Sequence, residues 1–256
     1  MAVLYVNTIN HISETKLQHW SEFNEVVQKL LDLPHYIFRG HSCSSWLLEP
    51  TLTRLIKKKP DIDEIREKHL EEFKYSVRGR RGSNPPKLST DNDWWALGQH
   101  HGLATPLLDW SVSPWVALFF AFSETDPATD TDHRVVYALN SHKLKEECDT
   151  LLQSEVPPSE IIEFVRPLTD ENARLVNQAG LFTCSPETVD IESWIQAHFS
   201  LLPDNNVVLL KIFVPNSDRI ECLKGLNRMN INYSTLFPDL YGSARFSNLR
   251  LEIDNY

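Results

Sequence analysis

A chain of 256 residues, 41% hydrophobic and 23% charged, has the composition of an ordinary globular protein. At that size it can bury roughly three quarters of its unfolded surface and needs no covalent staples. The net charge of −10 argues against a protein that wraps nucleic acid through a broadly basic surface. Cys43, Cys148, Cys184 and Cys222 are too scattered for a zinc site or a disulfide framework. No signal peptide is expected, because the first residues lack a basic segment followed by an apolar one. The longest apolar run, 115–122, is too short to span a bilayer. These features predict a cytoplasmic location, reduced thiols and no membrane partner.

In chain order, residues 3–9 read as a short strand. Ser13 then reads as the N-cap of a helix with Leu17, Trp20, Phe23, Val27 and Leu30 on one face, closed by Pro34. Tyr36-Ile37-Phe38 reads as a buried strand that delivers Arg39-Gly40-His41, where glycine permits a bend or a close approach. Residues 42–60 look irregular, and 61–77 helical with Ile62, Ile65, Phe73 and Val77 inward. Residues 78–86 form a loop whose three arginines could meet phosphate or simply be solvated. Asp91 is placed to cap a helix over 92–101 that Gly102 stops. Thr105–Trp110 reads as a strand, and Ser113-Pro114 as the start of a buried helix to Ser123. After a polar turn at 126–133, strands are expected at 134–139, 181–183, 206–214 and 232–237. Helical segments are expected at 141–153, 169–178, 190–199 and 217–229, with a last helix from Pro238-Asp239. The whole predicts a single α/β domain with a central mixed sheet flanked by helices. It divides into a helical lead-in (1–35), a main body (36–246) and a short tail (247–256).

The densest chemistry lies between 94 and 122. Gln99, His100, His101, Asp109 and Ser111 stand beside the apolar run, and a charge beside a dry core must be paired. Together with Arg39, Gly40 and His41 they form the candidate site.

The motifs Phe38-Arg39-Gly40, Gln99-His100-His101-Gly102-Leu103-Ala104-Thr105, Leu107-Leu108-Asp109-Trp110-Ser111, Ser113-Pro114 and Ala117–Ala121 closely resemble the FRG domain. Two later pieces are similar as well. One runs from Asn172 and Arg174 through Gln178 and Gly180 to Phe182, and the other from Leu236 to Ala244. Pro106, Ser111 and Tyr241 depart from the residues usual in that family. The resemblance implies a bacterial or phage-encoded protein, some relatives being components of phage defence or toxins. It implies no settled activity.

Three functional readings follow from the residues. In the first, an ADP-ribosyltransferase-like enzyme transfers ADP-ribose from NAD, or hydrolyses NAD. Arg39 clamps phosphate or ribose oxygens, a bidentate task that lysine does poorly. Rings of Trp95, Trp110 or Tyr137 stack on a base, and Asp109 or Asp239 supplies the carboxylate that an oxocarbenium-like transition state needs. In this reading Arg39, His101, Asp109 and Asp239 are catalytic, while Arg39, Gly40, His41, Gln99, His100 and Ser111 hold the nucleotide. His101 is favoured over His100 for contact with the pocket. NAD is the substrate, no metal is expected, and a protein or nucleic acid is the acceptor. The second reading is a hydrolase such as a nuclease using the histidines and Asp109. The third is a non-catalytic module that binds a nucleotide or a partner. Against all three stands a purely architectural role, in which Asp109 caps the helix at Ser113 and pairs with Arg39. Arg166, Arg174 and Gln178 could face the same pocket, and Trp46, Trp94, Trp115 and Trp194 are expected to pack in the core.

Overall fold

The computed structural model describes residues 7–31, 33, 35–125, 131–167, 176–186, 189–199 and 207–256. Among the described residues eight strands form one sheet: β1 (Asn7–Ile9), β2 (Ile12–Lys16), β3 (Tyr36–His41), β4 (Leu107–Ser111), β5 (His133–Asn140), β6 (Glu163–Val165), β7 (Gly180–Cys184) and β8 (Leu209–Pro215). Their spatial order is β1-β2-β8-β5-β3-β4-β7-β6. Only β2 and β8 run parallel, and every other neighbouring pair is antiparallel. The described helices are α1 (Phe23–Leu31), α2 (Thr51–Ile56), α3 (Ile62–Ser76), α4 (Asp91–His100), α5 (Pro114–Ser123), α6 (Ser141–Gln153), α7 (Ile191–His198), α8 (Arg219–Arg228), α9 (Tyr233–Leu236) and α10 (Leu240–Glu252). Among the described residues no helix is long and apolar enough to cross a membrane.

The expected mixed α/β architecture is present, and β5 shows why. Its residues are apolar on both sides: Val136 and Ala138 join the core beneath α1, α5 and α8, while Val135, Tyr137 and Leu139 join the core beneath α6 and α7. A strand covered on both faces is continuously apolar rather than alternating. A third, smaller core gathers Leu107 and Phe182 against α2, α3 and α4.

Several expectations are corrected. Ser13 is a buried residue of β2 and caps no helix. Ile12–Lys16 is drawn into the sheet because it pairs with β8, four of whose seven residues are buried, and Leu17 extends that pairing through its amide to the Phe213 carbonyl (2.9 Å). The helix begins only at Phe23, after a short 3-10 turn at Trp20–Glu22. The irregular stretch 42–60 contains α2. On α3 the buried residue is Leu70, and the four residues expected inward are half-buried. Thr90 rather than Asp91 caps α4, in a capping box with Asp93. Residues 232–237 hold the helical turn α9, because Asn232 and Thr235 bond reciprocally across its first turn and close it. Strand β6 was not anticipated; three residues are too short for a periodic signal. Pro34, Asn172, Arg174 and most of the helix expected at 169–178 lie outside the described residues.

At the centre, α5 lies directly on the backbone of β3. A Cβ on Gly40 would fall 1.9 Å from the Ala117 carbonyl and 2.6 Å from the Ala121 amide nitrogen. Here the glycine is required by closeness of approach.

Candidate functional site

β3 and β4 touch at a single register position, Phe38 opposite Ser111, whereas β3 and β5 pair along six. Beyond that contact the two strands part. The Arg39 side chain bridges the gap, its Nη1 donating to the Asp109 carbonyl at 2.7 Å. A hollow of about 540 Å³ opens here, a volume suited to a small ligand or cofactor. One wall is formed by β3, β4 and the end of α4, and the rest by α2, by the end of α5 and by the turn between α9 and α10.

Arg39 is held from two further sides. Its Nε donates to His41 Nε2 at 2.9 Å, and the Asp109 carboxylate stands 3.6 Å from Nη1. Arg39 Nη2 makes no hydrogen bond with a described residue. Burial lowers the Arg39 pKa below the usual arginine value and Asp109 opposes that shift, yet a guanidinium remains a cation. Because Arg39 can only donate, His41 Nε2 must be the acceptor nitrogen, which places the imidazole proton on Nδ1. His41 is kept well below the ordinary histidine range, first by burial and then by the adjacent Arg39 charge. The Trp46 backbone pulls weakly the other way, but His41 Nδ1 is buried without a partner of normal geometry.

Asp109 is half exposed (55%) and is oriented by Gln99, whose Nε2 donates to its Oδ2 at 2.8 Å. The Gln99 amide is in turn fixed by the Thr105 hydroxyl, which donates to Oε1. Asp109 does not cap α5; the Ser113 side chain does so, accepting from the Val116 amide. Ser111 lines the hollow, but its hydroxyl donates to the Gln178 carbonyl at 2.6 Å and accepts from the Ser113 amide. That serine holds the corner between β4 and α5.

Of the residues expected at the site, Arg39, Gly40, His41, Gln99, His100, Asp109 and Ser111 line the one hollow. His101 and Asp239 do not. His101 is the exposed C-cap of α4, from which Gly102 (φ +87°) turns the chain; His100, one position earlier, faces the hollow in its place. Asp239 is engaged as the N-cap of α10, accepting from the Gly242 amide at 2.9 Å. Trp95 and Tyr137 are sealed in the core, and Trp110 reaches the lining with only 2% exposure. The accessible rings are instead Trp46, expected in the core but 44% exposed, and Tyr241. Gln178 lines the hollow as anticipated, Arg166 borders a separate one, and Arg174 lies outside the described residues.

A second group at the hollow carries no local signal in the sequence. Glu124, just past α5, accepts from Tyr233 Oη (2.5 Å) and from Arg245 Nη2 (2.6 Å), and both Glu124 and Tyr233 line the hollow. Arg54 of α2 also reaches it, with Nη1 on the Glu49 carbonyl and Nη2 on the Thr51 hydroxyl. None of these stands in a compact motif; only their convergence in space marks them.

A family model for the FRG domain matches residues 34–130. No curated protein and no solved structure matches the chain. The span from 131 to 246, read from the sequence as part of the same body, lies beyond that match, though it supplies Gln178, Tyr233 and Tyr241 to the hollow. The segment that carries Arg39, the α4 wall, Asp109 and the helix seated on Gly40 is thus an FRG domain, residues 34–130 of this chain.

Proposed function

We propose that the hollow binds NAD and that the protein breaks its N-glycosidic bond, transferring ADP-ribose to a protein or nucleic-acid acceptor or to water. The observation that carries this reading is the posture of Arg39. It is a guanidinium fixed at the parting of two strands, with Nη2 uncommitted, and it faces the same space as an exposed carboxylate. Planar, pre-oriented donors of this kind suit pyrophosphate oxygens. Asp109, held by Gln99, then stands where negative charge can stabilise a positively charged ribose. The C1′–N bond breaks with its electron pair leaving on nicotinamide. The acceptor or water adds to C1′ and loses a proton. His100, on the same wall, is a histidine of suitable type to take that proton. Consumption of NAD would suit a toxin or a phage-defence component, the setting implied by the family resemblance.

Incubation with NAD is expected to release nicotinamide, and folded Arg39→Ala protein to release none. A wild-type protein that binds no NAD and releases no nicotinamide overturns the proposal. A second reading, binding without turnover, is favoured by the extent to which Ser111 and Gln99 are already satisfied within the protein. It predicts saturable NAD binding with no product. For the hydrolase reading the geometry offers no metal-binding set: among the described residues no three His, Cys, Asp or Glu side chains converge to hold an ion.

A further inference from the structure

The far wall of the hollow carries a carboxylate that the cleavage chemistry leaves unused. Glu124 follows the last residue of α5, whose Ala117–Ala121 segment lies on Gly40. It is therefore about one helical turn, on the order of 5 Å, beyond the point where α5 meets the strand bearing Arg39. Tyr233 Oη and Arg245 Nη2 both bond to Glu124 Oε1, and Tyr233 Oη also donates to the Ser123 carbonyl at 3.3 Å. Among the described residues nothing bonds to Oε2. One oxygen thus anchors the side chain while the other remains available, and an ionised carboxylate can only accept. The chemistry that complements it is a pair of adjacent hydroxyls. The same hollow is lined by Phe237 and the half-exposed Tyr241, their rings 5.5 Å apart at 64°.

We propose that Glu124 reads the adenosine ribose of the dinucleotide, receiving its hydroxyls while adenine lies against Phe237 and Tyr241, and that it thereby excludes a ligand carrying a 2′-phosphate. This rests on the NAD reading. With Asp109 at the nicotinamide ribose and Arg39 on the pyrophosphate, the second ribose is the part left to meet the opposite wall. A 2′-phosphate would oppose like charge and remove one hydroxyl that Glu124 accepts, a penalty of the kind that sets specificity. Arg245 Nη2 is already committed to Glu124 and Tyr233.

The test is calorimetric titration of the full chain with NAD and with NADP. Wild type is expected to bind NADP about 10-fold or more weakly. Glu124→Gln, which keeps the shape and removes the charge, should narrow that gap to within about 3-fold. Tyr233→Phe, which releases the carboxylate from one anchor, should narrow it partially. Equal binding of NAD and NADP by wild type, or an unchanged gap in folded Glu124→Gln protein, overturns the role of Glu124 and leaves the NAD reading standing. Absence of binding by either dinucleotide overturns both. Should Glu124→Gln not fold, the Tyr233→Phe gap decides: no change from wild type counts against the assignment.

Discussion

Two arginine–carboxylate pairs at the hollow are built in different ways: Arg39 and Asp109 both line it, whereas of the second pair Glu124 lines it and Arg245 does not. On one wall Arg39 is only 20% exposed and is held by a histidine nitrogen, a carbonyl and a half-exposed Asp109. On the other, Arg245 is 34% exposed and Glu124 56%, joined directly at 2.6 Å with Tyr233 between them. The first pair has the longer ionic distance (3.6 Å) but the more constrained cation, since the guanidinium rather than Asp109 is taken out of water. The second has the shorter contact and more solvent around it, so the pair itself contributes on the order of 1 kcal/mol or less to stability. A desolvated cation fixed by several acceptors suits a permanent ligand clamp. A solvated carboxylate anchored through one oxygen suits discrimination between ligands.

The contrast can be broken at several points. The largest effect is expected beneath the first wall. Gly40→Ala drives a methyl group into the α5 backbone, which no rotamer can relieve, and should cost about 3 kcal/mol or more. Thermal unfolding would show this as a fall of roughly 6–12 °C; an unchanged transition would mean that α5 does not sit on β3 as described. Next comes Arg39→Ala. NAD affinity should fall on the order of 100-fold, with about 1–3 kcal/mol of stability lost as the Asp109 carbonyl and His41 Nε2 lose their donor. Lysine should recover only part of the affinity, because a single ammonium cannot keep the bonds to His41 and the Asp109 carbonyl and still meet the ligand.

His41 gives a smaller, pH-dependent signature of the same wall. Its folded-state pKa is depressed, so the unfolded chain binds the proton more readily. Stability from this residue is full above the unfolded value of about 6.5 and declines as pH falls below it. A Tm profile from pH 8 to 5 should therefore drop on the acid side, and His41→Gln, which can still accept from Arg39, should flatten that drop. Identical profiles would show that burial and the adjacent Arg39 do not hold His41 neutral. The smallest effect belongs to the opposite wall. Tyr233→Phe removes one hydroxyl from a half-solvated cluster and should cost about 1 kcal/mol, read from denaturant unfolding. A loss as large as that of Gly40→Ala would erase the distinction between the two walls.

The same contrast explains what could be read from the residues alone. Phe38-Arg39-Gly40, Gln99 and Asp109 sit in short segments whose types are unusual beside an apolar run, and their shared location follows once β3 and β4 are recognised as strands. Ser113 announces itself as a cap because Pro114 follows it. Glu124 and Arg245 are 121 residues apart and Glu124 and Tyr233 109 apart. Each looks like an ordinary residue at a helix end or on a helix face, and only packing of α9 and α10 against α5 brings them together. His100 rather than the expected His101 lines the hollow for a related reason. Gly102 is legible as the helix stop, but the direction of the two rings depends on the backbone of the last turn. Asp239 was likewise legible as a charged group near a later motif, although a Pro-Asp pair before a helix is also the signature of a cap.

Direct titration of NAD into the folded wild-type chain and into Arg39→Ala, followed by calorimetry at one low salt concentration, tests the central claim most closely. Saturable binding by wild type at one site per chain, weakened on the order of 100-fold by the substitution, is the predicted result. Wild-type protein that takes up no NAD, or an Arg39→Ala variant that binds it equally well, would contradict the assignment of this hollow to a dinucleotide.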